Sequence, residues 1–233
     1  MSDFQLMNGD AFELLGGVTD NSVDLVLTDP PYNISQKNNI KTMKDRNRQG
    51  LDFGDWDKDF DLTGWIDIVA NKVTKNGAMI IFSSWKHLSE INLALAENGF
   101  DTKDIIRYVK PNPMPRNRDR RYVVDCEYAI WAVRHNGKWT FNRQDPKYQR
   151  PEFRFVPPTG KNRIHPTEKP VKLMQSLVEI HSNLNDIILD PFMGSGSAGV
   201  ASLNLNRKFI GIEMDKHYFD LAKERIERVD SNC

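Results

Sequence analysis

The sequence predicts an α/β fold: an open sheet built with parallel crossovers, circularly permuted relative to dinucleotide-binding order and carrying an inserted basic region. Three observations predict it. Apolar runs of strand length alternate with stretches of helical spacing toward both ends of the chain, which implies right-handed parallel crossovers. A glycine-rich strand-to-helix junction comes so late that only 34 residues follow Gly199, so much of its sheet must come from upstream. In a chain of zero net charge, residues 103–163 hold fifteen Lys and Arg against six Asp and Glu and show little periodicity, as a basic module on an acidic body would.

In chain order, 4–7 reads as a short strand ending at Asn8-Gly9-Asp10, and 11–15 as one or two helical turns. The apolar run 23–27 reads as a buried strand, closed by Thr28-Asp29-Pro30-Pro31-Tyr32-Asn33-Ile34. Neither proline has an N–H for a ladder, so the strand must stop there. The turn then presents a carboxylate, a free carbonyl and an aromatic face at a strand's carboxyl end, where open α/β sheets bind ligands. A polar stretch, 33–61, follows, with Lys37, Lys41, Lys44, Arg46 and Arg48 before five aspartates. A loop so long beside the turn is expected to be mobile and functional.

A helix is expected over 62–75, stopped by Asn76-Gly77, then a buried strand over 78–82 and a helix over 86–98 with Leu88, Ile91 and Leu95 on one face. Strands over 105–109 and 128–133 can pair. Between and after them lie Pro111, Pro113 and Pro115, the run Arg116, Arg118, Arg120 and Arg121, and aperiodic sequence to 163. Such density of basic residues points to a polyanion, while Trp131 and Trp139 are expected in the core. Alternation resumes with helix 170–183, strand 187–189, helix 197–205, strand 209–212 and helix 216–229.

A chain of 233 residues suffices for one large or two small domains. Two cysteines, Cys126 and Cys233, and five scattered histidines lack zinc-ligand spacing, so a reduced, cytoplasmic protein without a structural metal is expected. No apolar stretch approaches the roughly 20 residues of a membrane helix, and the first residues do not resemble a signal peptide.

The junction Asp190-Pro191-Phe192-Met193-Gly194-Ser195-Gly196-Ser197-Ala198-Gly199 contains G-x-G-x-x-G, and Glu213 ends the next strand. That is a dinucleotide fingerprint, but two features turn the reading away from NAD. Asp10, Asp29, Asp190 and Glu213 are all expected on one sheet edge, where they would repel a pyrophosphate and suit a cationic ligand. S-adenosylmethionine carries a sulfonium and an ammonium, a ribose for Glu213 and an adenine amine for a carboxylate such as Asp10. The late position of the fingerprint also sets the Asp29 turn beside the glycine loop in space.

Thr28 to Asn33 (TDPPYN), His165 to Pro170 (HPTEKP) and Asp190 to Gly196 (DPFMGSG), in this order, resemble the β group of DNA amino-methyltransferases, which methylate adenine N6 or cytosine N4. The resemblance covers nearly the whole chain; Ser197-Ala198 in place of Thr-Thr is a small departure. It implies a Rossmann-like, S-adenosylmethionine-dependent methyltransferase sheet, with residues 1–102 as catalytic half, 103–163 as target-recognition region and 164–233 as cofactor-binding half. Asp29, Pro30, Pro31 and Tyr32 would be catalytic: the Asp29 carboxylate and Pro30 carbonyl accept the N–H groups of a flipped-out base that stacks on Tyr32. The cofactor would be held by Asp10, Ala11, Asp29, Thr167, Lys169, Asp190, Phe192, Gly194, Ser195, Gly196, Ser197 and Glu213. Thr167 and Lys169 would meet the methionine carboxylate, a role for which Ser195 and Ser197 compete.

Double-stranded DNA would lie on Lys37, Lys41, Lys44, Arg46, Arg48, Arg116, Arg118, Arg120 and Arg121. A cytosine-C5 enzyme needs a nucleophilic thiolate, and Cys126 between Asp125 and Glu127 is poorly placed to be one. Aspartate at the head of the turn leans toward adenine N6, with cytosine N4 the alternative. RNA or protein-glutamine methylation, an NAD oxidoreductase and a non-catalytic nucleic-acid-binding module are more distant. The short length resembles bacterial and phage members of restriction–modification systems, which implies a cognate restriction endonuclease as a possible partner, and the resemblance to a family with many dimeric members implies a possible homodimer.

Overall fold

The structure, a computed structural model, describes residues 3–32, 60–113, 119–120, 122–159, 165 and 167–230. Among these residues eight strands form one sheet: β1 (Phe4–Asn8), β2 (Val23–Thr28), β3 (Val73–Ser83), β4 (Phe100–Val109), β5 (Cys126–Arg134), β6 (Glu152–Arg154), β7 (Ile187–Asp190) and β8 (Lys208–Glu213). Their order across the sheet is β1-β8-β7-β2-β3-β5-β4-β6. β5 lies antiparallel to both its neighbours, and the remaining pairs are parallel.

Alternation along the strands assigns the two faces. Leu25 and Leu27 of β2 and Ile80 and Phe82 of β3 pack with α4 (Val171–His181), α5 (Ser197–Asn204) and α6 (Lys216–Asp230). Val26, Met79 and Ile81 point the other way, toward α1 (Ala11–Leu14), α2 (Gly64–Ala70) and α3 (Leu88–Glu97). The first half of the chain thus covers one face and the second half the other. Because β2 is flanked by β3 and β7, residues 163 apart meet at the centre of the sheet: Leu25 pairs with Ile188 and Val26 with Leu189. The late glycine loop is therefore adjacent to the early proline turn, as the permuted order requires.

Three expectations are corrected. The helix expected over 62–75 spans only Gly64–Ala70, and β3 begins at Val73 and runs through Asn76-Gly77. Pairing with β2 jumps from Val23↔Val73 to Leu25↔Ala78, so the extra residues form a bulge. A Cβ at Gly77 would lie 2.5 Å from Val73 Cγ1 and 3.0 Å from the Asp24 carbonyl, so this glycine admits a close backbone approach rather than stopping a helix. Trp139 is 40% exposed beneath the Lys103 ammonium, 4.6 Å from its ring centre, and is not core. Trp131 does pack on the core, stacked on Phe141.

The pairing of β4 with β5 is as expected, Ile105 opposite Ile130. Residue 103 falls inside β4, so the strands of the basic region extend the central sheet. Among the described residues, no helix is long and apolar enough to cross a membrane.

Candidate active site

The carboxyl ends of β1, β8, β7 and β2 open into a cavity of about 360 Å³, within the range of small-ligand sites. β2 ends at Thr28, whose hydroxyl donates to Asp190 Oδ1 at 2.6 Å and ties the proline turn to the end of β7. The Phe192 amide donates to the same oxygen at 3.1 Å. Burial pushes the Asp190 carboxyl up to about 7 against these two bonds, and the nearby Asp29 and Glu213 carboxylates add to the rise.

Asp29 stands at the cavity wall with both oxygens engaged. The Tyr32 hydroxyl donates to Oδ1, and the Lys169 ammonium donates to Oδ2. Burial pushes the Asp29 carboxyl up; Lys169 opposes this and Glu127 reinforces it. Each carboxylate oxygen has a second lone pair, so the site retains acceptor capacity for a ligand N–H.

The glycine loop curls over the sheet with Gly194 and Gly196 in left-handed backbone, φ 51° and 73°. The turn aims the Gly194 amide at Glu213 Oε2, 2.9 Å away, while the Asp215 amide donates to Oε1 at 2.8 Å. Ser195 and Ser197 are buried at the start of α5, with their hydroxyls 3.2 Å apart. Arg225 of α6 donates to the Ser195 carbonyl at 3.0 Å and to Glu168 Oε1 at 2.8 Å, which binds the segment before α4 to the loop. Thr167 Oγ1 lies 3.0 Å from His165 Nδ1, and the His165 ring packs edge-on to Tyr218 at 4.3 Å. Opposite, Phe12, Phe60 and Phe192 form an aromatic wall through edge contacts at 6.1 and 5.3 Å.

Asp10, Ala11, Asp29, Pro30, Pro31, Tyr32, Thr167, Lys169, Asp190, Phe192, Gly194, Ser195, Ser197 and Glu213 all line this one cavity. Gly196 lies behind them as the N-cap of α5, its missing Cβ replaced by Ile226 and Ala222 of α6. Lys169, expected on a cofactor carboxylate, has its ammonium on Asp29 and 3.1 Å from Glu127 Oε2, because a buried cation requires anionic partners. The residues missed from sequence are Phe12, Phe60, His165 and Tyr218 along the cavity, and Glu127 behind it. Of these, His165 stands at the head of a motif that was read, whereas the phenylalanines carry no signal beyond ordinary core composition.

The half-buried Cys126 thiol is pushed up by burial and then by Asp125, the opposite of a thiolate nucleophile. Arg120 is exposed; Lys37, Lys41, Lys44, Arg46, Arg48, Arg116, Arg118 and Arg121 lie outside the described residues, as does the loop 33–59.

A family model described as DNA methylase, of the N6/N4 type, matches residues 23–224. The Type II methyltransferase M2.MboI of Moraxella bovis is 30% identical over 245 residues, covering 97% of this chain and 89% of that protein. M2.LlaDCHI of Lactococcus lactis subsp. cremoris, also a Type II methyltransferase, is 30% identical over 255 residues, covering 96% and 89%. The crystal structure of an M1.HpyAVI–SAM complex matches with a TM-score of 0.79 at 44% identity, covering 96% of this chain and 98% of that one. The cytosine-N4-specific PvuII DNA methyltransferase matches with a TM-score of 0.74 over 100% of this chain and 93% of that one; at 17% identity the likeness is one of fold.

Proposed function

The chain belongs to the N6/N4 DNA methylase family and is an S-adenosylmethionine-dependent DNA methyltransferase; from that premise we propose that it methylates the exocyclic N6 amine of an adenine flipped out of double-stranded DNA. The observation that carries this reading is the meeting of Asp29 and the glycine loop in one cavity. The donor set suits the cofactor. Asp10, Asp29, Asp190 and Glu213 are among the carboxylates lining a pocket that also has an aromatic wall, a combination suited to a cationic ligand with an adenine ring. Glu213 is offered to the ribose hydroxyls, Asp10 and Phe192 to the adenine, and Thr167, Ser195 and Ser197 to the methionine end. S-adenosylmethionine supplies an electrophilic methyl group on a sulfonium.

The chain's own residues prepare the amine. An exocyclic amine on adenine is a weak nucleophile because its lone pair is delocalised into the ring. The Asp29 carboxylate and Pro30 carbonyl, held by the stiff turn, accept its two N–H groups and favour tetrahedral nitrogen; one acceptor is ionised, which strengthens its bond. Tyr32, fixed through its hydroxyl on Asp29, presents a ring for the flipped base; such stacking is worth about 1–3 kcal/mol, comparable to the cost of unpairing. No covalent enzyme intermediate is needed, and proximity supplies much of the acceleration.

We assign target recognition to 103–163, chiefly to the connections between its strands, with the flanking halves 1–102 and 164–233 supplying catalysis and cofactor binding. Phosphates are assigned to Lys37, Lys41, Lys44, Arg46, Arg48, Arg116, Arg118, Arg120 and Arg121. A second copy of the chain and a cognate restriction endonuclease complete the proposal. Aspartate at the head of the turn favours adenine N6 over cytosine N4. Incubation with plasmid DNA and methyl-labelled S-adenosylmethionine, followed by nucleoside analysis, tests it: label is expected in N6-methyladenine, and label in N4-methylcytosine overturns the choice of base. Tight NAD binding without S-adenosylmethionine binding overturns the cofactor assignment.

A further inference from the structure

Asp29 is one end of a row of alternating charges contributed by four separate parts of the chain. The Lys169 ammonium, just before α4, donates to Asp29 and lies 3.1 Å from Glu127 Oε2 on β5; Glu127 Oε1 accepts from Lys110, the residue after β4. Side-chain exposure is 5% at Lys169, 24% at Glu127 and 26% at Lys110, so the row runs outward from the cavity wall. Asp29 alone would neutralise Lys169. A second, half-buried carboxylate on the same ammonium has a desolvation cost and therefore calls for a reason. Glu127 Oε2 faces Lys169 without an aligned hydrogen bond, so what it exerts there is chiefly field.

That field bears on the reaction. An ammonium attending to Asp29 alone would fix the carboxylate but drain the charge that makes it a strong acceptor for the amine. An ammonium shared with Glu127 fixes it and leaves the charge. We propose that Glu127 is a positioning residue for methyl transfer: it holds Lys169 jointly with Asp29 so that the carboxylate is immobilised without being neutralised, and Lys110 tunes Glu127 in turn. The inference rests on the amino-methyltransferase reading above.

Two substitutions of opposite sign test it. The charged and titratable groups facing Asp29 are Lys169, Glu127 and the Tyr32 hydroxyl, with the Asp190 carboxyl near it and itself acted on by Glu213. Asp29 acts ionised, so activity falls as pH drops through its pKa. Glu127→Gln removes a negative neighbour, and the acid limb of the kcat–pH profile is expected to move to lower pH. Lys110→Gln removes a positive charge, and the limb is expected to move to higher pH. As a weaker acceptor, Asp29 in Glu127→Gln should also lose about tenfold in kcat, with KM for S-adenosylmethionine within about twofold of wild type. Glu127→Asp should restore most of the loss. Limbs that do not move, or that move the same way in both variants, overturn the inference while wild-type transfer upholds the function. Absence of transfer by the wild-type chain overturns both. Should Glu127→Gln fail to fold, Lys110→Gln at the more exposed end decides alone: an unmoved limb overturns the proposal.

Discussion

At the scale of the residue, the site is a set of carboxylates held where water is scarce, and pH acts on them with a defined sign. Asp190 is 4% exposed, and its pKa stands at about 7 against an ordinary 3.8. A carboxyl whose pKa is raised on folding contributes stability that is complete below about 3.8 and lost as pH rises through about 7. The difference of about three units, at about 1.4 kcal/mol each, is on the order of a few kcal/mol. Asp190→Asn keeps an acceptor for Thr28 and Phe192 but has no charge to bury. Its melting temperature should therefore fall less than wild type's between pH 5.5 and pH 8; parallel losses would contradict the argument. Some slope should remain in the variant, since Asp29, Asp186 and Glu213 are raised as well. Asp29→Ala is expected to abolish methyl transfer while leaving the circular dichroism spectrum near wild type, because Lys169 keeps Glu127 as a partner. Undiminished turnover in that variant would remove Asp29 from the mechanism.

At the scale of the element, the glycine loop works only because α5 is drawn tightly onto its neighbours. A Cβ on Gly199 would lie 2.6 Å from Ile226 Cδ1 and 2.8 Å from the Phe209 ring. Gly199→Ala must push α5 away from α6 and β8, at about 1–3 kcal/mol for overpacking, and displaces Ser195 and Ser197 with it. Lower thermal stability together with weaker S-adenosylmethionine binding is expected, partly recovered by Ile226→Val, which deletes the Cδ1 in the way. Loss of stability with unchanged cofactor affinity would sever the loop from the helix packing. Elements of this kind were legible because a backbone reason stands behind each residue: Pro30 and Pro31 cannot pair, and Gly194 and Gly196 sit at left-handed φ. Asn76-Gly77 looks the same at a helix end and in a strand bulge, and only the partner strand decides between them. β6, three residues long, is too short to have a period. Glu127 was illegible for a different reason: a lone acid in an apolar strand reads as solvated until Lys169, from 42 positions away, is folded against it.

At the scale of the whole molecule, charge neutrality conceals a division of labour. Within and beside the sheet most basic side chains of 103–163 already have partners: Arg107 and Arg154 meet Glu152, Lys110 meets Glu127, Lys103 meets Asp101, and Arg134 donates to the Ala70 and Asn98 carbonyls. The positive excess of the region therefore falls to its connecting segments, where Arg116, Arg118, Arg120 and Arg121 stand within six residues. A duplex brought to the cavity mouth must be held by its backbone while one base is withdrawn, and phosphate contacts of this kind release counterions. Each such contact contributes about 0.9 to the slope of log affinity against log salt. Replacing the four arginines with alanine is expected to weaken DNA binding at low salt, most of all where counterion release is greatest, and to flatten the slope by up to about 3.6 if every one meets a phosphate. Cofactor binding should be untouched, since the residues assigned to the cofactor, from Asp10 and Asp29 to the glycine loop and Glu213, lie elsewhere in the chain. Binding measured by fluorescence anisotropy across a salt series checks the expectation: an unchanged slope would move the DNA-holding surface away from this run and leave the 33–61 lysines and arginines as its remaining source.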